Sequence, residues 1–427
     1  MLIEFSVKNY LSFKDKATLS LVASADPTHL ENTFSSDGTL KGLSLLKSVG
    51  IYGPNASGKS NLIKAISFMR EFVLTPFGEQ QQRKAINVTP FKLNPKTTAE
   101  PSEFEVVFAA AGQRYAYGFS ADKGAIHEEW LTAARHRTRR LFYRHDNDVE
   151  FGSSWKGERQ KLKDLLHPKA LVLSSAIGLK NKTAEPVHDW FEDGLKGISN
   201  RPEESSEMSY TLKMLAGDRQ TSEYFQKFLK IADLGIERVE AERVPLTSDE
   251  IQRRIAGLPA EIIRMMPAEQ PEELEEINIK SFHKKSDGSE IAFNFEEESA
   301  GTQRFLAVAG PLLYVLARGC TLIVDELDSH FHPFMTKKLV ELFHLKSLDT
   351  NPQLIFTTHD VTLLDSKIMR RDQLWLTEKD RTGATQLYPL SDIRSIRKNE
   401  DFRARYLEGR YGAIPLLEEM RFEEEEE

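Results

Sequence analysis

Gly53-Pro-Asn-Ala-Ser-Gly-Lys-Ser60 fits the phosphate-loop pattern G-x-x-x-x-G-K-[ST] at every fixed position. Before it, Leu46, Val49, Ile51 and Tyr52 read as a short buried strand. After it, Asn61 to Val73 carries Leu62, Ile63, Ile66 and Met69 at helical spacing. Strand, glycine loop and helix follow in the order a nucleotide site requires. Gly53 and Gly58 let the backbone turn so that its N–H groups and the positive end of the helix dipole face phosphates. The binding loop is therefore read as Gly53, Pro54, Asn55, Ala56, Ser57, Gly58, Lys59, Ser60 and Asn61. Lys59 would reach the β- and γ-phosphates as a binding and catalytic group, and Ser60 would ligate Mg²⁺. The alternative, a glycine turn that only caps a helix, does not account for the strand in front.

Working outward, Cys320-Thr-Leu-Ile-Val-Asp325-Glu326 is an apolar strand ending in two carboxylates. Such a strand delivers the magnesium-associated Asp in phosphate-loop ATPases, here Asp325. Glu326, one residue on, would orient or deprotonate the attacking water. Upstream, Glu298-Ser-Ala-Gly-Thr-Gln-Arg304 precedes an apolar helix, so Ser299 and Gly301 sit where unpaired N–H groups attract a phosphate. An ordinary Ser cap explains the same residues. Downstream, Leu354-Ile-Phe-Thr-Thr-His359 is a second buried strand expected beside the carboxylate strand, which brings His359 toward a γ-phosphate.

A chain of 427 residues with 40% hydrophobic and 29% charged content has room for two or three soluble domains. The single cysteine, Cys320, excludes a disulfide framework and a Cys-pair zinc site within one chain. It suits a reducing, cytoplasmic compartment. No signal-like N-terminus or membrane-length apolar run occurs, since the longest, near 310–324, is broken by Arg318. A net charge of −8 argues against a surface that coats nucleic acid as a whole. Two basic stretches leave local contact open: Arg135 to Arg140, and a helix expected to carry Arg394, Arg397, Lys398, Arg403, Arg405 and Arg410.

The remaining chain divides by pattern. Leu2 to Lys8 and Ala17 to Ala23 alternate with period two, an antiparallel hairpin. Strand-like runs at 104–108, 114–119, 126–131 and 141–143, with turns at Ala111-Gly112 and Asp122-Lys-Gly124, continue it as a meander. From Asp189 to Glu298 the sequence becomes helix-forming and charged, broken by Pro245, Pro259, Pro267 and Pro271. Glu272, Glu273, Glu275 and Glu276 there read as a solvated face. The expected organisation is lobe I at 1–188, a helical insertion or lid at 189–298, lobe II at 299–422 and an acidic tail at 423–427. The fold class is α/β, with a mixed or parallel core sheet and an N-terminal antiparallel subdomain.

Taken together, the phosphate loop, the Ser-x-Gly signature, the Asp-Glu strand and the Thr-His strand end resemble ABC-type ATPase heads of the SMC and Rad-fifty class. Met1 to Phe13, Pro90 to Leu93, Leu327-Asp328-Ser-His-Phe-His332-Pro333 and Tyr406 to Gly412 resemble more closely the prokaryotic ATPases labelled AAA15 or AAA21. Those include ATPase subunits of anti-phage systems of the RloA-like, PARIS and Septu types. The resemblance implies a homodimer or higher homo-oligomer with ATP between two heads. Ser299 and Gly301 of one chain would complete the site around Lys59 of the other, Asp328 would cross the interface, and His359 would sense the γ-phosphate. Leu11 stands where many relatives carry Arg, and Ala300 and Thr302 depart from the usual Ser-Gly-Gly-Gln.

The function so implied is an ATP-hydrolysing switch that controls a separate effector, a nuclease, in anti-phage defence. Sixty-eight residues follow His359, fewer than the roughly hundred of an independent catalytic domain, so the nuclease is expected to be another polypeptide. The alternatives are a DNA-repair or DNA-organising SMC-like ATPase and a nucleotide-gated scaffold with little turnover. The absence of long heptads and of a Cys-x-x-Cys hook weighs against the first.

Overall fold

The computed structural model describes residues 1–35, 42–135, 137–198, 206–217, 219–245, 247, 253, 275–346, 348, 350–394, 396 and 400–415. The chain forms two compact units, one from Met1–Asn200 with Val315–Glu427, the other from Arg201–Tyr314.

The first unit holds two large sheets. Strand Ser48–Tyr52, buried at every residue, lies inside a six-stranded sheet in the order 195–198, 321–324, 353–357, 48–52, 374–379, 385–389. All neighbours are parallel except the last pair. The unbroken apolar run Leu322-Ile-Val324 is what a strand covered on both faces requires. The other sheet is antiparallel and seven-stranded, in the order 148–151, 138–145, 126–134, 113–121, 102–110, 2–8, 17–20. The expected hairpin and meander are thus one continuous surface.

Helix Lys59–Leu74 lies between them. Its buried Leu62, Ile66, Met69 and Val73 recur every three or four residues and share one apolar core with Phe5 and Phe104 of the antiparallel sheet and Ile51 of the parallel one. Phe68 and Phe72 reach Phe104 and Phe119 at ring distances of 5.0 and 5.5 Å. Truncating such a side chain costs about 3–5 kcal/mol, so the antiparallel sheet anchors the helix that carries the loop. Gln353 ties the sheets directly. Its Oε1 accepts from Leu2 N at 2.7 Å and its Nε2 donates to Leu2 O at 3.0 Å.

The second unit contains helices Ser206–Leu215 and Arg219–Leu229, as a helical insertion predicts. It also contains a three-stranded antiparallel sheet of 236–245, 275–284 and 290–294, which the charged, Pro-broken sequence did not suggest. The reason is visible in the residues. Strand Glu275–Lys284 puts Ile279 and Ser281 inside among charged neighbours, an alternation too sparse to stand out from helix-forming composition. The unit is closed by the helix that begins at Ala300. Gly310 of this helix lies so near the first helix that a Cβ there would meet Thr211 N at 2.4 Å. Thr211 Oγ1 accepts from Gly310 N and donates to Leu306 O.

The compact division falls at 200/201 and 314/315, against the sequence division at 188/189 and 298/299. Residues Leu195–Ile198 pair with 321–324 in the parallel sheet, which assigns them to the first unit. Pro259, Pro267, Pro271, Glu272, Glu273 and the tail 423–427 lie outside the described residues.

Candidate nucleotide site

The loop between Tyr52 and Lys59 turns at three residues with positive φ: Gly53 at 151°, Ala56 at 61° and Gly58 at 117°. The two glycines are needed for closeness as well as for φ. A Cβ on Gly53 would lie 2.3 Å from Thr377 O, and one on Gly58 would lie 2.2 Å from Thr385 Oγ1. Thr377 and Thr385 buttress the loop from outside. Ser57 Oγ lies 2.7 Å from Thr377 Oγ1, and Thr385 Oγ1 lies 2.7 Å from Ser57 O. Ser12, from the N-terminal turn, lies between Thr385 and Asn61, which donates from Nδ2 to Ser12 Oγ at 2.8 Å.

Lys59 begins the helix, and its buried ammonium donates to Gly53 O at 2.7 Å and Pro54 O at 3.1 Å. Burial lowers its pKa, while the charges of Asp325, Glu326 and Asp328 oppose that change. Ser60 Oγ donates to Asp325 Oδ1 at 3.1 Å. The same oxygen accepts from Thr357 Oγ1 at 2.6 Å, and Thr357 Oγ1 in turn accepts from Glu326 N at 2.7 Å. Thr357 therefore fixes both carboxylate residues from the neighbouring strand. Glu326 has φ 51°, a left-handed conformation that costs a non-glycine residue of order 1–3 kcal/mol.

Glu326 and His359 line one cleft with Asn55 to Asn61. His359 N donates to Asp328 Oδ2 at 3.2 Å. Burial, then the charge of Lys59, lowers the pKa of the imidazole and favours its neutral form. The parallel order 321–324 beside 353–357 beside 48–52 explains why residues so distant in sequence converge. All three strands deliver their C-terminal ends to one edge, where ligands of open α/β sheets bind.

Of the residues expected at the site, Gly53 to Asn61, Asp325, Glu326, Asp328 and His359 come together in the first unit. Ser299 and Gly301 belong to the second. There Ser299 Oγ accepts from Thr302 N at 3.1 Å, the geometry of a cap on the helix starting at Ala300. Thr357, Thr377, Thr385 and Ser12 were not singled out from the sequence. Their hydroxyls lie in ordinary strand or turn contexts, and no spacing rule marks them.

The loop, its Lys and the Ser60–Asp325 pair fit a nucleotide with Mg²⁺. The glycines keep room at the backbone, the helix N-terminus attracts anions, and hydroxyl and carboxylate are the hard oxygen ligands Mg²⁺ takes. The basic stretches fit nucleic acid less well. Arg140 pairs with Glu150 at 3.2 Å, and Arg405 and Arg410 both pair with Glu408. The C-terminal helix is short, Phe402–Leu407, capped by Asp401 and ended near Gly409 at φ 75°. It therefore does not carry Arg394 or Arg410. His136, Arg397 and Lys398 lie outside the described residues. Among the described residues no helix is long and apolar enough to cross a membrane.

Residues 48–365 match the sequence profile of the family described as "AAA domain, putative AbiEii toxin, Type IV TA system". The chain belongs to that AAA domain family. No curated protein matches. Among solved structures, the chain is similar to the SMC head domain from Thermotoga maritima, with 15% identity, 91% of this chain and 98% of that one covered, and a TM-score of 0.38. A second likeness is to the Smc head domain with an extended coiled coil bound to the C-terminal domain of ScpA, from Pyrococcus furiosus. It has 14% identity, 91% and 96% coverage, and a TM-score of 0.35. A third is to the recombination mediator protein RecF-ATPrS of the RecFOR pathway, with 14% identity, 91% and 98% coverage, and a TM-score of 0.34. Likeness at these scores carries no function over.

Proposed function

We propose that this protein binds and hydrolyses ATP as a molecular switch. The observation that supports this best is the convergence of Lys59, Ser60, Asp325, Glu326 and His359 on one cleft. The loop from Gly53 to Asn61 holds the phosphates, with Lys59 turning from the carbonyls of Gly53 and Pro54 to the β- and γ-phosphates. Ser60 and Asp325 would hold Mg²⁺, which would supply positive charge beside the transferred phosphoryl group. Glu326 takes the proton of the attacking water or orients it. Neutral His359 contacts the γ-phosphate and reports its presence to Asp328 through the backbone N–H.

The switch acts between two copies of the chain, Ser299 and Gly301 of one meeting the phosphates held by the other. Its output is control of a separate effector, a nuclease in anti-phage defence. Membership of the AAA domain family and the cleft support the ATPase part. The defence role rests on resemblance of sequence motifs. The cytoplasm is the proposed compartment, supported by the lone buried Cys320.

Phosphate release by the purified full chain, with and without Mg²⁺, tests the reading. Lys59→Ala is expected to weaken ATP binding measured by calorimetry, because a charge-assisted phosphate contact is lost. Unchanged affinity would remove Lys59 from the site. A chain that binds ATP tightly without turnover would favour the nucleotide-gated scaffold.

A further inference from the structure

Five buried side-chain polar atoms without a hydrogen-bond partner belong to segments gathered behind the cleft: Tyr52 Oη, Asp328 Oδ1, Thr336 Oγ1, Asp360 Oδ2 and Thr362 Oγ1. Among the described residues only two other such atoms occur, both Trp indole nitrogens. Buried polar groups are normally paired, so this concentration calls for an explanation.

The segments are adjacent by construction. Thr358 N donates to Ile51 O, which sets Tyr52 beside the start of the loop carrying His359 and Asp360. Leu327 N donates to Thr357 O, which holds the Asp328 segment against the same loop. The helix Pro333–His344, with Thr336 on it, packs on strands 48–52 and 353–357 and on the turn Val361–Leu363. Each carboxylate already grips the His359 loop with one oxygen: Asp328 Oδ2 accepts from His359 N, and Asp360 Oδ1 accepts from Thr362 N at 2.8 Å. The other oxygen of each is the unpaired one. Burial, then the charges of Asp360 and Asp328, push the Tyr52 phenol well above its usual range, so it stays an O–H donor. Three buried hydroxyls and two carboxylate oxygens on these adjoining segments are thus without a partner. Ordered water, which donates two hydrogens and accepts others, satisfies such a set.

We propose that Tyr52 is a positioning residue for ATP hydrolysis: its hydroxyl, through water shared with Asp328 and Asp360, fixes the loop that carries His359. The role in hydrolysis rests on the ATPase reading above. The fixing of the loop does not. Tyr52 is not among the residues that line the cleft, and acts through the two carboxylates.

Tyr52→Phe removes one hydroxyl and keeps the ring. Two measurements on the full chain decide. In nucleotide-free protein, hydrogen exchange of the peptide covering 358–364 is expected to speed up several-fold, with exchange elsewhere unchanged. In turnover, kcat is expected to fall by up to about tenfold, the effect of losing one hydrogen bond, while ATP affinity stays within about twofold. If the hydroxyl is an orphan, removing it relieves a penalty. A raised melting temperature with unchanged local exchange overturns the proposal. A uniform rise in exchange along the chain marks a merely structural role and overturns it as well. Should Tyr52→Phe fail to fold, Asp360→Asn in the wild-type background must show the same local exchange, and its absence counts equally against the proposal. A wild-type chain that binds ATP without hydrolysing it refutes the ATPase reading, and the exchange result then decides the loop's support alone.

Discussion

Ser60 Oγ donates to Asp325 Oδ1 across 3.1 Å, joining the first turn of a helix to the end of a strand far along the chain. The pair presents a hydroxyl and a carboxylate at one point of the phosphate loop, the arrangement that Mg²⁺ bound to a nucleotide needs. Asp325→Asn keeps the shape and removes the charge. It is expected to raise the Mg²⁺ concentration for half-maximal hydrolysis by about tenfold or more. Turnover measured against Mg²⁺ checks this, and an unshifted curve rejects Asp325 as a metal group.

Glu326→Gln should keep ATP affinity and lower turnover by about 10²–10⁴, because the amide can orient water but cannot take its proton. Single-turnover phosphate release and calorimetry on the same preparation separate the two. A variant that turns over at the wild-type rate leaves Glu326 without a catalytic role.

If Ser299 acts on the partner's nucleotide, Ser299→Arg and Lys59→Ala chains are each inactive alone, since each homodimer lacks the same half of both sites. A mixed dimer has one doubly damaged site and one intact site, so mixing restores at most about half the sites when chains exchange freely. The measurement is hydrolysis against mixing ratio, after mass spectrometry shows mixed assemblies. A flat baseline in their presence would falsify the shared site.

Burial, then the charge of Lys47, holds His344 down to about 3 in the folded chain. Its Nε2 lies 2.8 Å from Ser48 Oγ, which accepts from Gln373 Nε2 and so is placed to donate to the neutral ring. The unfolded chain takes up the proton near 6.5, above the folded value, so it binds more protons in that window. Stability is therefore fully present above about pH 6.5 and lost as pH falls toward about 3, by up to ~1.4 kcal/mol per unit. Denaturant unfolding at pH 7.5 and 5.5 measures the loss. His344→Gln is expected to flatten the dependence, and an equal slope in both proteins assigns the acid sensitivity elsewhere.

Much of the site was legible because its chemistry is local. Gly53 to Ser60 specify a turn and a helix start within eight residues, and the apolar runs before Asp325 and before His359 mark buried strands by composition. The alternation at 2–8 and through 104–143 likewise announced the antiparallel sheet. Less legible was the second unit. Its strand 275–284 has few inward apolar side chains, so charge content suggested helix, and tertiary pairing with 236–245 and 290–294 decided otherwise.

By itself, then, the sequence determined the phosphate loop, the two carboxylates and the α/β class, because each depends on residues close in the chain. The supporting hydroxyls were decided only by the tertiary structure. Thr357 serves Asp325 and Glu326 because its strand lies beside theirs, Thr377 and Thr385 brace the loop because strands 374–379 and 385–389 close the sheet on that side, and Ser12 arrives from the opposite end of the chain. A threonine in a strand has no periodicity or spacing that announces such a contact. Its role follows from which strand becomes its neighbour, and that is set by the packing of the whole parallel sheet around helix 59–74.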